Sequence, residues 1–149
     1  MWAAGTAPSR RSGTYIYIKL HDHPHARCFI SNTTAIQAGT ATTEKYQGAD
    51  WYKKWKNDLP NYYITEEEAY AAGWIPSKGN LGLVAPGKML AKGIYRNDDG
   101  HLPTAPGRIW YEADINYHGG YRNGCRLLYS SNGLLFTTYN HYYNFCEIV

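Results

Sequence analysis

RIWYEADINYHGGYRNGCRLLYSSNGLLFTTY, residues 108–139, decides the fold. Its first part, RIWYEADINY (108–117), alternates polar and apolar residues, which marks a half-buried strand. HGG (118–120) turns the chain and YRNGCRLLYSS (121–131) brings it back. Asn132-Gly133 is the pair that a two-residue hairpin turn favours, because both positions need positive φ. LLFTTY (134–139) and YNFCEIV (143–149) complete a meander. The last forty or so residues therefore read as an antiparallel sheet with one face buried.

The segments ahead of the sheet read as helices. Trp51 and Trp55 lie four apart in DWYKKWK (50–56), on one face of a short helix that Leu59-Pro60 ends. Thr65 precedes Glu68 by three, a capping box, and the carboxylates of Glu66, Glu67 and Glu68 complement the helix dipole. Gly73 closes that helix. SKGNLGLVAPGKMLAKG (77–93) is rich in glycine and reads as a short helix mixed with tight loops. The expected fold is α+β, N-terminal helices packed on a C-terminal antiparallel β-sheet, over residues 46–149. Residues 1–45 read as an extension or linker: a polar lead-in over 1–13, a strand at Thr14 to Leu20, and a loop-like passage from Ser31 to Thr43.

Composition bounds the function. The chain has 149 residues, enough for one domain with a real core. With 44% apolar and 18% charged residues it is not a disordered tail. No apolar run is long enough to span a membrane, and the first residues lack the apolar stretch of a secretory signal. Fifteen Tyr and five Trp against three Phe suit a β-rich domain whose rings keep a polar tip in water. Three cysteines cannot close a full disulfide framework. The net charge is only +3, so bulk electrostatics make a weak case for nucleic acid. A phosphate chain would have to be held by a few placed arginines.

Strand parity supplies such arginines. Glu112, Asp114 and Asn116 share one strand face, and Ala113, Ile115 and Tyr117 share the other. Folding about residues 118–120 sets Glu112 opposite Arg126 and Asn116 opposite Arg122, unless a bulge shifts the register. His141, in the loop entering the last strand, can lean over the same face. A carboxylate and an imidazole can serve as base and acid on a phosphodiester, while two guanidiniums hold the phosphate. RNA brings its own nucleophile, the 2′-hydroxyl, so the chemistry requires neither metal nor cofactor. The plain alternative is a cross-strand ion pair worth well under about 1 kcal/mol.

Other motifs say less. His21, His23 and His25 alternate like metal ligands, but Pro24 breaks the ladder, and an exposed polar turn is the better reading. Asn32-Thr33-Thr34 fits a glycosylation acceptor by pattern alone. Cys125 and Cys146 could pair across neighbouring strands in an oxidising compartment, although plain thiols are commoner.

A family resemblance joins these readings. LPNYYIT (59–65), Glu68 to Trp74, SKGNL (77–81), VAPGK (84–88), GRIWYEADINY (107–117), YRNGCRLLYSS (121–131) and HYYNF (141–145) resemble the barnase-like guanyl-preferring ribonucleases of bacteria. The segments keep that family's order and nearly its spacing over residues 59–149. By resemblance Glu112 is the general base and His141 the general acid. Arg122 and Arg126 hold the scissile phosphate. Asn97 and Asp99 lie in the guanine loop, and Tyr142 is a base or ribose contact. The implied reaction is transesterification of single-stranded RNA after guanosine to a 2′,3′-cyclic phosphate, followed by hydrolysis to a 3′-phosphate, with no cofactor. The resemblance also implies a secreted monomer, bound by a small acidic barstar-like inhibitor or immunity protein, and a toxin role if the domain belongs to a larger polypeptide.

The sequence departs from the family at the cleft. Glu66 stands where relatives carry a catalytic lysine, a reversal expected to cost more than about 1 kcal/mol near a poorly solvated phosphate. Lys78 is the candidate to compensate. Asp98 replaces an arginine, and Cys125 an acidic residue. The expectation is an active endoribonuclease. The alternative is an RNA-binding module on the same fold, without turnover, with Glu66 as its support.

Overall fold

The computed structural model describes residues 35–149. The strand expected at 14–20, the alternating histidines, Cys28 and Asn32 lie outside the described residues.

Among the described residues seven strands form one sheet. They are β1 (Ala35–Ile36), β2 (Tyr63–Thr65), β3 (Met89–Tyr95), β4 (Trp110–Asp114), β5 (Arg126–Ser130), β6 (Leu135–Thr138) and β7 (Cys146–Ile148). Their order across the sheet is β1-β7-β6-β5-β4-β3-β2. The four strands from β4 to β7 are antiparallel, as the sequence implies, and β3, which it does not announce, adds a fifth. The two edges are not: β1 runs parallel to β7, and β2 parallel to β3. The helices are α1 (Ala49–Lys56), α2 (Glu66–Ala72) and the single turn α3 (Leu81–Val84). The architecture is thus the expected α+β class, with a mixed rather than purely antiparallel sheet.

Local signals produce the local elements. Thr65 accepts from the backbone N–H of Glu68 at 3.1 Å while Glu68 accepts from the N–H of Thr65 at 2.9 Å, so α2 opens on the expected capping box. Gly73 ends it at φ 107. The β5–β6 hairpin forms where expected, but its loop has three residues, 131–133, not two: Ser130 N–H bonds to Leu134 C=O at 2.9 Å, Gly133 N–H bonds to Ser130 C=O at 3.3 Å, and only Gly133 of the Asn132-Gly133 pair takes positive φ, at 98. The glycine-rich stretch hides β3, which the sequence does not announce. A bulge between Ala91 and Gly93 interrupts its alternation.

Two faces of the sheet do different work. One carries Ile115, Leu127, Leu135, Cys146 and Ile148, buried with Ala49 of α1. The other carries a smaller core of Trp110, Leu128 and Phe136 with Leu102 and Phe145. Burying each such leucine contributes about 1.5–3 kcal/mol. Beyond that second core, on the same face, the buried residues turn polar: Glu112, Asp114, Arg126 and Thr138. A third cluster, Ala69, Trp74, Leu81, Met89 and Leu90, seats α2 and α3 on the β2–β3 edge. Cys125 is a buried thiol, so the cross-strand bridge to Cys146 is not made. Burial pushes that thiol's pKa up.

Candidate active site

The β4–β5 register differs from the expected one by two residues. Asp114, not Glu112, sits opposite Arg126, and Glu112 faces Leu128. A slip of two keeps every side chain on its face, so the polar group survives the shift. It also gives Asp114 a role that the sequence reading missed. Asp114 accepts two bonds from Arg122, both 2.7 Å, and its Oδ1 lies 3.2 Å from Arg126 Nε. This carboxylate is buried, and so is Arg126, whose Nη1 also donates to the carbonyls of Asn123 and Cys125 at 2.7 Å each. One acid thus fixes both guanidiniums in place. Burial works against the charge of Arg122, but the Asp114 carboxylate outweighs it and raises the pKa above the ordinary arginine value.

Glu112 reaches the same cluster through Tyr142. The Tyr142 hydroxyl donates to Glu112 Oε1 and accepts from Arg126 Nε at 3.2 Å. Burial first, and then the Glu112 carboxylate, push the phenol's pKa well up, so it remains a donor. Its ring stacks on Tyr95 with centroids 5.1 Å apart. His141 lies edge-on to that ring at 4.9 Å and is exposed at the rim.

Backbone strain presents this pair. His141 and Tyr142 both take left-handed φ, 58 and 69, rare for residues of this size. The loop is pinned by His141 N–H to Gly124 C=O at 2.8 Å, and by Tyr142 N–H to Thr138 Oγ1 at 3.0 Å. A Cβ on Gly124 would stand 3.0 Å from the His141 nitrogen. Gly124→Ala is therefore expected to displace the loop and cost about 1–3 kcal/mol, with a matching drop in RNA cleavage. Thermal melts and an activity assay check it, and an unchanged variant would contradict this account of the loop.

The remaining sequence candidates are dispersed. Asn97 spends its side chain on its own loop, donating to Leu102 C=O at 2.9 Å and accepting from Leu102 N–H at 3.1 Å. It shapes the 97–102 turn, at φ 53, rather than offering its amide outward. Asp99 is exposed at the tip of that turn, 3.3 Å from His101 Nδ1. Lys78 stands exposed on a 3-10 turn whose Ser77 carbonyl accepts from the Tyr121 hydroxyl at 3.1 Å. The lysine that meets Glu66 is another one: Lys92 of β3, at 3.2 Å. Asn116 does not face Arg122. Its Oδ1 accepts from Thr43 N–H at 3.1 Å, tying the segment before α1 to the sheet. Among the described residues no three His, Cys, Asp or Glu side chains are grouped to hold a metal ion.

The chain around this site matches known proteins in sequence. The ribonuclease family profile covers residues 31–149. The chain belongs to the ribonuclease family. It is 50% identical over 100 residues to a ribonuclease of Heyndrickxia coagulans, covering 67% of this chain and 91% of that protein. It is equally similar, again over 100 residues, to ribonucleases of Bacillus intermedius and Bacillus pumilus, of whose length it spans 61%. With membership of the barnase-like group, RNA is the expected substrate. No helix among the described residues is long and apolar enough to cross a membrane.

Proposed function

We propose that this ribonuclease is a metal-independent endoribonuclease that cleaves single-stranded RNA after guanosine. The observation that supports this most is the single sheet face on which Glu112, Arg122 and Arg126 meet, with His141 beside Tyr142 at its rim. In this reading Glu112 accepts the proton of the 2′-hydroxyl as that oxygen attacks phosphorus. The bond from phosphorus to the 5′-oxygen breaks, and protonated His141 supplies a proton to the leaving oxygen. The product is a 2′,3′-cyclic phosphate. Water then attacks the ring with the two roles exchanged, leaving a 3′-phosphate.

The arginines' fixed geometry suits this chemistry, because donors already held by Asp114 need not reorganise as charge grows on the phosphate oxygens. The Tyr142 hydroxyl occupies the position over Glu112 that the 2′-hydroxyl needs, so substrate entry exchanges one donor for another. The freed ring can then stack on a base, as Tyr95 stacks on it now. Guanine recognition is assigned to the 97–102 turn, with Asp99 accepting from the base. Secretion, a monomeric state, an acidic protein inhibitor and a toxin role follow the family resemblance.

The cleavage rate should trace a bell against pH, because Glu112 must be ionised and His141 protonated. Glu112→Ala should remove the acid limb. A rate flat from about pH 4 to 9 would contradict the pair. A binding module without turnover is the second reading. The Glu66–Lys92 ion pair weakens its case, because the reversed charge at Glu66 comes with a cation of its own.

A further inference from the structure

Lys92 enters the fold through a defect in the sheet. Ala91 pairs with Ala113 and Gly93 with Glu112, so the register between β3 and β4 shifts at Lys92. Two residues, Lys92 and Gly93, therefore oppose the single residue Glu112, the defining feature of a bulge. Ala91 shares the face of Ala113, and the next side chain along the strand alternates to the face of Glu112. Gly93 takes φ 89 and offers no side chain there. The bulge thus places Lys92 on the strand beside Glu112 and leaves open space at Gly93. Its ammonium is held at 3.2 Å by Glu66, in the first turn of α2, with both side chains about a third exposed or less, 28% and 33%.

The charges around the cluster suggest why a lysine belongs there. Glu112 and Asp114 are buried, and Asp114 already draws on both arginines. A phosphodiester anion, and still more the pentacoordinate phosphorane formed by 2′-oxygen attack, brings further negative charge to this face. Lys92 is a cation on β3, on the other side of β4 from the strand that carries Arg126, and it has a carboxylate partner it can leave.

We propose that Lys92 is a catalytic residue that contacts the scissile phosphate, and that Glu66 is the positioning residue that holds its ammonium beside Glu112. This deepens the proposed function and rests on it. When substrate binds, the ammonium moves from Glu66 to a phosphate oxygen, sharing the developing charge with Arg122 and Arg126.

The test compares Lys92→Met, Lys92→Arg, Glu66→Gln and the Glu66→Gln/Lys92→Met double variant in the full chain. Cleavage of guanylyl-3′,5′-uridine and titration with guanosine 3′-monophosphate are the two readouts. Lys92→Met should lower kcat by about 10- to 100-fold, more than it changes KM, and weaken nucleotide binding. Lys92→Arg should recover part of both. Glu66→Gln should tighten nucleotide binding at low salt, and should do nothing in the Lys92→Met background, because the two act through one ammonium. The ion pair is about a third exposed, so a structural role alone would give small shifts in melting temperature and equal, minor effects on the two readouts. If Lys92→Met leaves both rate and nucleotide affinity within about twofold, the proposal is overturned. If the unaltered protein fails to cleave RNA, the proposed function falls, and the nucleotide titration still decides whether Lys92 meets phosphate. Failure of the unaltered protein to bind the nucleotide overturns both.

Discussion

Asp114→Ala should be the most damaging single substitution in the site, lowering stability by about 3–5 kcal/mol. Asp114 and Arg126 are almost wholly buried, at 1% and 3% exposure, and Asp114 also holds Arg122 by two bonds of 2.7 Å. Removing the acid strands a buried guanidinium and leaves a second cation without its anchor. A buried pair adds little net stability when intact, because desolvation opposes attraction, but breaking it from one side exposes the whole desolvation cost. Asp114→Asn keeps an acceptor of the same shape and should fall between the two. Urea unfolding of the three proteins checks the order. A loss under about 1 kcal/mol for Asp114→Ala would mean that water enters and solvates Arg126 once the acid is gone. RNA cleavage should collapse in Asp114→Ala even under conditions where the protein remains folded, because Arg122 then has no fixed direction.

Glu112→Gln and His141→Ala should each lower the cleavage rate by at least about 10²- to 10⁴-fold, the usual contribution of a placed acid or base. Their affinities for a guanosine nucleotide should change far less. Glu112→Gln preserves an acceptor for the Tyr142 hydroxyl, so the loop and the ring should remain where they are. His141 is exposed at the rim, so its removal leaves the core untouched. Single-turnover kinetics beside nucleotide titration separates the two effects. Cleavage that persists in both variants would show that other groups carry the proton transfers.

Much of the fold was legible because its signals are local. Thr65 with Glu68, Trp51 with Trp55, and Asn132-Gly133 each specify structure within a few residues. The edge strands were not legible, because β1 and β2 span only Ala35–Ile36 and Tyr63–Thr65, too short to show a period. β3 was hidden by the Lys92–Gly93 bulge, and with it the cation that meets Glu66. The β4–β5 register depends on residues 115–125, a long connection with positive φ at Asn116, Gly119 and Gly120, whose path no short-range rule fixes. Parity was robust to that error, since pairing slipped by two and Glu112 kept its face. Partnership was not: Asp114 could be placed on the right face, but nothing local showed that it, rather than Glu112, meets both arginines. The resemblance places Asn97 in the guanine loop, but nothing in the sequence shows that its side chain closes its own turn.

The most direct test of the central claim is digestion of a mixed-sequence RNA in excess EDTA, with the 3′ ends of the products mapped. The account predicts rapid cleavage with 2′,3′-cyclic phosphates after guanosine, later converted to 3′-phosphates. Intact RNA in the presence of the folded protein, or cleavage that disappears with EDTA, would contradict it.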